Sequence, residues 1–367
     1  MTQPPVDYAM NVFLFGATCS PSCAAFALRK AAEDNLTGAS NHAVQTVFKN
    51  FYVDDLLKSC RSVEEASALV SELCPLLKSG GFHLTKFLSN EPGVLSSVPE
   101  DDQASAMLDL NLDDLATTKA LGVYWNMNSD CFEVRVSIQK RPLTKRGLLS
   151  MVSQIYDVLG LVQPFILPAR KLLQEISREQ KGWDDPLDES QRNAWESWIQ
   201  GLDNLNRVSV ARCFKLPYRE VQCMELHVFC DASTIGYGVA CYVRTVYVDG
   251  HIDCGFAAGK SRVSSPNLTI PRLELTAATV AAKLCALIST ELEYDFERVI
   301  LWTDATTVLH YIRNDTCRFH TFVANRLRLI HSLSSPEQWR HVPSQLNPAD
   351  IASRRLMPDK IDNAALV

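Results

Sequence analysis

The stretch "MELHVFCDASTIGYGVACYV", residues 224–243, decides the fold of the carboxy-terminal part of the chain. Its first eight residues are mostly apolar and end at Asp231, and the segment "ASTIGYG" separates them from a second apolar run, "VACYV". Two apolar runs joined by a turn-forming segment are typical of neighbouring β-strands. The pattern therefore predicts a strand that ends in a carboxylate and turns into a second strand.

Three more acidic residues stand at the ends of predicted elements within residues 231–350. Glu274 lies in "TIPRLELTAATVAAKLCALI", in which Pro271 suits the first turn of a helix. Asp304 ends the strand "RVILWTD", and Asp350 lies in "LNPADIASR", which has the pattern of a capped helix start. Each acid taken singly fits a helix cap or a turn. Four acids at the ends of separate elements can also converge on one site.

Converging carboxylates cannot all stay ionised without cations between them. Two Mg²⁺ ions about 3.5–4 Å apart would neutralise such a group, one activating water and the other stabilising the leaving oxygen of a phosphodiester. The four acids therefore indicate metal-dependent phosphodiester hydrolysis.

The bulk composition is that of a globular protein: 367 residues, 47% hydrophobic and 21% charged. We found no amino-terminal signal pattern and no apolar run of the roughly 18 residues that a membrane span needs. The 12 cysteines form no C-x-x-C pair and are typical of reduced thiols. These features predict a soluble intracellular protein, cytoplasmic or nuclear, neither secreted nor membrane-bound.

The net charge of -6 argues against nucleic-acid binding by the whole surface. Basic residues nevertheless cluster in "QKRPLTKR" and "ANRLRLIH". Four arginines after the Asp304 strand could line a nucleic-acid groove: Arg313, Arg318, Arg326 and Arg328. Trp195 and Trp198, three apart on a predicted helix, are expected in a core rather than on a base-stacking surface.

A second acidic pair, Asp54 and Asp55, lies in "KNFYVDDLLKSC", residues 49–60. Its apolar flanks, such as Tyr52 and Leu57, have the pattern of a buried strand. The pair can belong to a metal-binding polymerase site, to the remnant of one, or to a solvated turn.

The chain is predicted to be of the α/β class, with three parts. Residues 1–130 show mixed α/β patterns, including a helix that begins with the capping pair Ser62 and Glu65. Residues 131–220 are mostly helical, and "TKRGLLSMVSQIYDVLG" predicts a helix that ends at Gly160. Residues 221–367 contain strands followed by helices.

These motifs also carry a family resemblance. The segments "GYGVACYVR", "IPRLELTAA", "LWTDATTVLHYIRN" and "HVPSQLNPADIASR" are similar to the type 1 ribonuclease H domain of LTR retrotransposon polyproteins. "LFGATCSPSCAAFAL", "YVDD", "KALGVYW" and "TKRGLLSMVSQIYDVLGLVQPFILPARKLLQEI" resemble the reverse transcriptase and connecting region of the Pao/BEL group. The resemblance covers nearly the whole chain, and its motifs follow the family's order.

The resemblance implies a mixed five-stranded sheet with flanking helices in the third part. It also implies that Asp231, Glu274, Asp304 and Asp350 are catalytic acids that hold two Mg²⁺ or Mn²⁺ ions and cut the RNA strand of an RNA–DNA hybrid, a substrate recognised through its 2′-hydroxyls. Related domains often carry a histidine after the Val-Pro pair, but here Ser344 and Gln345 follow. No histidine can therefore be assigned to product release.

For the first part, the resemblance implies a polymerase palm in which Tyr52 lies near the primer end and Asp54 and Asp55 bind metal. A further aspartate is expected upstream of "GATCSP", which begins at Gly16, and the only candidate, Asp7, does not match the motif. We therefore expect a truncated palm that is inactive in DNA synthesis, followed by a mostly helical connection.

Two other functions remain open from the sequence. One is a non-catalytic remnant of a retroelement that binds nucleic acid or protein. The other is a polymerase half that needs a partner chain, such as another retroelement polyprotein chain, to supply the missing palm aspartate.

Overall fold

The computed structural model describes residues 16–35, 39–104, 117–120, 123–314 and 316–354. The chain divides into two compact units, Met1–Leu121 and Gly122–Val367. Helices and strands are present in both units, as the α/β prediction requires. The predicted boundaries near residues 130 and 220 stay predictions.

The first unit is built on three packed helices, and its described elements are α1 (Ser20–Asp34), α2 (Asn41–Asn50), β1 (Phe51–Tyr52), β2 (Asp55–Leu56), α3 (Val63–Ser79), α4 (Pro92–Leu95) and β3 (Thr117–Ala120). The Ser62 side chain accepts from the backbone N–H of Glu65 and so begins α3 as predicted. One face of α3, which includes Leu69, Leu73 and Leu77, is buried against α1 and α2. This helical core supports the β1–β2 hairpin.

The β1–β2 hairpin carries the YVDD sequence at its tip. Tyr52 pairs with Asp55, and Val53 adopts a positive φ of 55° in the turn. The prediction that the flanks are buried strand was wrong, because Tyr52 is 66% exposed and Leu57 is 42% exposed. Each strand has only two residues, and among the described residues no third strand pairs with them. Asp54 and Asp55 are exposed as well, and the adjacent carboxylates therefore keep their hydration.

The second unit begins with a small sheet and a helical layer: β4 (Val123–Asn126), β5 (Cys131–Glu133), α5 (Lys145–Val152), α6 (Gln163–Arg178), α7 (Glu189–Gln200) and β6 (Ser209–Ala211). Trp195 and Trp198 pack with Phe165 in the core of this layer, as predicted. The Nε1–H of Trp198 donates to the carbonyl of Phe165 at 2.8 Å, which satisfies its one polar group.

The predicted end of α5 at Gly160 was wrong, since the helix ends at Val152. The residues that follow form a loop whose half-buried Asp157 carboxylate accepts from the backbone N–H groups of Leu161 and Val162, at 2.8 and 3.0 Å. The Asp157 side chain thus satisfies backbone N–H groups at the start of α6. Side-chain hydrogen bonds of this kind compete with helical ones, and here they accompany a loop instead of a longer α5.

The remaining residues of the second unit form a sheet and its helices: β7 (Val221–Ala232), β8 (Gly236–Tyr247), β9 (Ile252–Val263), α8 (Ile270–Glu291), β10 (Arg298–Thr303), α9 (Thr306–Arg313), α10 (Thr321–Leu333), β11 (Trp339–His341) and α11 (Ala349–Ser353). The strand order is β11-β10-β7-β8-β9. Strand β8 is antiparallel to both β7 and β9, whereas β10 is parallel to both β7 and β11. The mixed five-stranded sheet implied by the resemblance is confirmed.

The two faces of the sheet have different neighbours because side chains alternate along a strand. Leu226, Val228 and Val239 face the core formed with α8. Ala240 and Phe256 belong instead to the core of the preceding helical layer. The sheet therefore lies between α8 and the helices that precede it in sequence.

Helix α8 corrects the sequence-based statement that the chain has no apolar run long enough for a membrane span. Among the described residues it is the one helix that is long and apolar enough to cross a membrane, by length and composition only. Its buried residues, including Leu275, Ala278 and Ala282, pack against the sheet. Burial in this core accounts for its hydropathy.

A close contact between two glycines joins the helical layer to the sheet. The backbone N–H of Gly259 in β9 donates to the carbonyl of Leu159 at 2.7 Å. Gly160 has a φ of 82°, and a Cβ at this position would lie 1.8 Å from the carbonyl oxygen of Gly259. Only a residue without a side chain fits here.

Candidate active site

Asp231 lies at the end of β7 and is buried, with 6% of its surface exposed. The hydroxyl of Ser353, which is completely buried on α11, donates to Oδ2 of this carboxylate. Ser233, just after the strand, donates its hydroxyl to the carbonyl of Ser353 at 2.7 Å. The end of β7 and helix α11 are therefore joined at Asp231.

Asp304 follows β10, which runs parallel to β7. Thr303 is paired with Cys230, so the residues that follow them, Asp304 and Asp231, leave the sheet at the same edge. The hydroxyl of Ser344 donates to Oδ2 of Asp304 at 2.6 Å. The sequence placed both aspartates at strand ends, and the register brings those ends together.

Asp350 is positioned by a buried asparagine. Asn347 accepts from the backbone N–H of Ala349 at 3.2 Å, and its amide donates to the carbonyl of Cys230 at 3.1 Å. Its side-chain oxygen thus pairs with the first N–H group of α11, although Pro348 holds the cap position, and its amide attaches the start of the helix to the end of β7. Asp350 in turn accepts from Nε of Arg354 at 2.6 Å.

Glu274 lies near the start of α8, which packs on β7 and β10. Its side chain is half-buried. Burial raises the pKa of Glu274, and the nearby charge of Asp304 raises it further. The fourth acid therefore lies within electrostatic range of the third.

The ionised form of Asp231 is disfavoured by its surroundings. Burial raises its pKa to about 6 from an ordinary value of 3.8, and the charges of Asp304 and Asp350 act in the same direction, against the hydrogen bond from Ser353. The hydrogen bond from Ser353 therefore does not offset the burial of Asp231 and the negative charge around it. We call the four acids the acidic edge: Asp231, Glu274, Asp304 and Asp350.

The acidic edge has the donor chemistry of a site for hard divalent cations. Carboxylate oxygens are the ligands that Mg²⁺ and Mn²⁺ prefer, and a cation would remove the repulsion that raises the Asp231 pKa. Among the described residues, no three His, Cys, Asp or Glu side chains are arranged closely enough to hold a metal ion. The residues fit such ions in the chemistry of their oxygen ligands, and ligation would require the carboxylates to draw closer.

The structure does not bring the YVDD aspartates into a comparable group. In the part of the chain that is described, no third acid joins Asp54 and Asp55 in a metal-binding cluster. Tyr52 lies beside them on the exposed hairpin. The earlier candidate Asp7 lies outside the described residues, so the polymerase role of these three residues stays a prediction.

Two serines at the acidic edge were missed as functional residues. Ser344 was noted only as the residue found where related domains carry histidine, and Ser353 was not singled out. Ser353 lies three residues after Asp350 in a predicted helix, a spacing that places both on one face. That spacing was the available signal, but the partner of Ser353 is on a strand 122 positions away.

Comparison with known proteins locates the chain among retroelement domains. Residues 144–305 match the model of a family described as Pao retrotransposon-like RNaseH-like domain. The match covers less than half of the chain. The match confirms the resemblance and includes Asp231, Glu274 and Asp304, whereas Asp350 lies beyond it. No curated protein matches the chain.

Three solved structures illustrate what the chain is similar to. A foamy viral protease-reverse transcriptase in complex with dsDNA is 13% identical, with a TM-score of 0.48, and the similarity covers 90% of this chain and 59% of that one. RNase H1 from Halobacterium salinarum is 17% identical, with a TM-score of 0.25, over 35% of this chain and 92% of that one. The amino-terminal RNase H domain of a Mycobacterium tuberculosis protein is 13% identical, with a TM-score of 0.27, over 35% and 91%.

Proposed function

We propose that the second unit is a ribonuclease H that hydrolyses the RNA strand of RNA–DNA hybrids with two divalent cations, Mg²⁺ or Mn²⁺. The observation that supports this most directly is the raised pKa of buried Asp231 beside Asp304 and Asp350. A buried carboxylate with a raised pKa beside other carboxylates is typical of a functional rather than a structural acid. The family match over residues 144–305 supplies the reaction class.

The chain's own residues perform the positioning in this proposal. Asp231, Glu274, Asp304 and Asp350 would hold the cations, which when bound activate water and neutralise the phosphate's charge. Ser353 keeps the Asp231 carboxylate turned toward the sheet edge, and Asn347 holds α11 in register with β7. An RNA 2′-hydroxyl near the scissile phosphate distinguishes RNA from DNA.

The test is cleavage of an end-labelled RNA in an RNA–DNA hybrid, with Mg²⁺ and Mn²⁺ assayed separately. Parent protein should cut the RNA and leave single-stranded RNA intact, while Asp231→Asn should lose cutting by a factor of 10³ or more. Glu220→Gln, an exposed carboxylate outside the acidic edge, is the matched control and should cut normally. Hybrid binding without cutting in either metal by the folded parent would refute the enzyme and favour a nucleic-acid-binding remnant.

We also propose that the YVDD hairpin does not synthesise DNA by itself. Its two aspartates are exposed, and no third acid joins them in the described part of the chain. Primer extension should therefore show no incorporation with the chain alone. Incorporation that is lost in Asp54→Asn, Asp55→Asn would contradict this, and incorporation only on adding a second polyprotein chain would support the split polymerase.

The remaining expectations are proposals of the same kind. We place the protein inside the cell, in the cytoplasm or nucleus, without membrane contact, and divide it functionally near residues 130 and 220. Fractionation of cells that express the tagged chain tests the first point, and limited proteolysis tests the second.

A further inference from the structure

One side chain brings a full positive charge to the acidic edge. Nε of Arg354 lies 2.6 Å from Oδ1 of Asp350. The other three acids differ, because none of them forms an ion pair with a lysine, arginine or histidine among the described residues. Two of those three accept from neutral serine hydroxyls instead. Asp350 is therefore the acid of this group that the protein itself neutralises.

The position of Arg354 follows from the end of α11. Its backbone N–H donates to the carbonyl of Asp350 at 3.1 Å and closes the last turn of the helix. Residues four apart on a helix lie on one face, so the guanidinium reaches back to the Asp350 side chain. Of the two side chains, 63% of Arg354 and 34% of Asp350 are exposed. The ion pair therefore lies on the solvent side of the acidic edge, where dissolved cations reach it.

A guanidinium and a hydroxyl act differently on a carboxylate. A hydroxyl orients the oxygen to which it donates and leaves the carboxylate its full charge, whereas a guanidinium carries a permanent positive charge. Arg354 contacts Oδ1 of Asp350 and leaves Oδ2. A divalent cation would thus find a ligand oxygen on Asp350 but would be repelled by the neighbouring guanidinium. Arg354 acts through its charge and not by covering the ligand.

The same positive charge acts on the metal-free chain. Burial, and then the charges of Asp304 and Asp350, raise the pKa of Asp231. Because Arg354 compensates the charge of Asp350, it reduces the repulsion among these carboxylates. Part of the negative charge that a cation would neutralise is therefore already compensated by the chain.

We propose that Arg354 is the internal counter-charge of the acidic edge and that it lowers the affinity of this edge for divalent cations. The proposal rests on the proposed function, in which such cations bind the four acids. The cation position at Asp350 becomes the weaker one, because Asp350 is the acid whose charge is compensated. Cleavage then requires a higher free cation concentration than it would without this arginine.

The test is a titration of the full chain with MnCl₂ in the absence of nucleic acid, with free Mn²⁺ read by electron paramagnetic resonance. Arg354→Gln keeps a polar side chain but removes the charge. An exposed ion pair changes an equilibrium by at most about fivefold, and Mn²⁺ carries twice the charge of a monovalent partner, so the Mn²⁺ dissociation constant should fall about three- to tenfold. The difference from the parent should shrink in about 1 M KCl, where charges are screened within about 3 Å.

Two further variants separate the charge from the side chain. Arg354→Lys retains the positive charge, and its Mn²⁺ dissociation constant should stay within about twofold of the parent value. Arg219→Gln is the matched control, because Arg219 is also exposed and pairs with Asp249 in the turn after β8. This control should leave the dissociation constant unchanged.

Asp231→Asn distinguishes failure of this proposal from failure of the proposed function. Mn²⁺ binding that Asp231→Asn weakens and Arg354→Gln strengthens supports the proposal. If Asp231→Asn weakens binding but Arg354→Gln binds Mn²⁺ as the parent does, or less tightly, the counter-charge is refuted while the metal site stands. If Asp231→Asn leaves Mn²⁺ binding unchanged, the proposed function fails and this proposal fails with it.

Discussion

The buried charge of Asp231 should make the metal-free fold less stable than an uncharged equivalent. The perturbation is Asp231→Asn, which keeps the size of the side chain and an oxygen that can accept from Ser353. Because Asp231 is only 6% exposed, water screens little of the free-energy cost of ionising its carboxyl in the folded state. We therefore expect the variant to gain stability at neutral pH while it loses cleavage.

The magnitude follows from the pKa. Below pH 3.8 the carboxyl is protonated in the folded and the unfolded chain, and it contributes nothing. Between 3.8 and about 6 the unfolded chain releases the proton while the folded chain retains it, so the stability of the fold decreases as pH rises. At 1.36 kcal/mol per pH unit, the loss reaches about 3 kcal/mol above pH 6. Asp231→Asn should recover about 1–3 kcal/mol of this at pH 7.5.

The assay is native-state hydrogen exchange in EDTA, read at the amides of Leu226 and Val228 in the centre of the sheet. The gap between Asp231→Asn and the parent should be widest at pH 7.5 and close toward pH 4, and Glu220→Gln should show no gap. Mg²⁺ should narrow the gap by stabilising the parent alone. An Asp231→Asn variant that is less stable than the parent at every pH would refute the reasoning.

Three further outcomes follow from single contacts. Ser353→Ala removes the hydroxyl that donates to Asp231, so the Asp231 pKa should rise by about one pH unit or more. Carboxyl-carbon NMR measures this pKa. In the control Ser344→Ala, which removes a donor to Asp304 instead, the Asp231 pKa should not change. Gly160→Ala should destabilise the second unit by about 3 kcal/mol because of its positive φ and the carbonyl of Gly259; the control Gly250→Ala, with a similar φ and open space around it, should cost about 1 kcal/mol in the same denaturant titration. Asn347→Ala should cost about 1–3 kcal/mol and lower the cleavage rate, with hybrid binding retained; an unchanged rate would show that α11 needs no attachment to β7.

The sequence was sufficient for features that depend on short-range patterns. The strand that ends at Asp231 and the helix start at Pro271 both follow from neighbours in sequence, and both are present. The capping pair Ser62 and Glu65 likewise predicted the start of α3. These cases succeed because local residues supply both the pattern and the partner.

Features that depend on distant partners could not be predicted in this way. Gly160 had the pattern of a helix end, but its conformation is set by Gly259, a strand residue far along the chain. The YVDD flanks had the pattern of a buried strand, but Tyr52 and Leu57 are exposed because no described element packs over them. Likewise, the carboxylate partners of Ser344 and Ser353 are known only once the sheet register is known.

The residues from Ser344 to Arg354 act as one support for the acidic edge. This segment contains Asp350 and supplies a donor to each aspartate: Ser353 to Asp231, Ser344 to Asp304 and Arg354 to Asp350. Each donor contacts one carboxylate oxygen, and a carboxylate has two. The donors therefore fix the orientation of the aspartates and leave a second oxygen on each, which in the proposed function would accept a cation, so the segment would support the site instead of competing with metal for it.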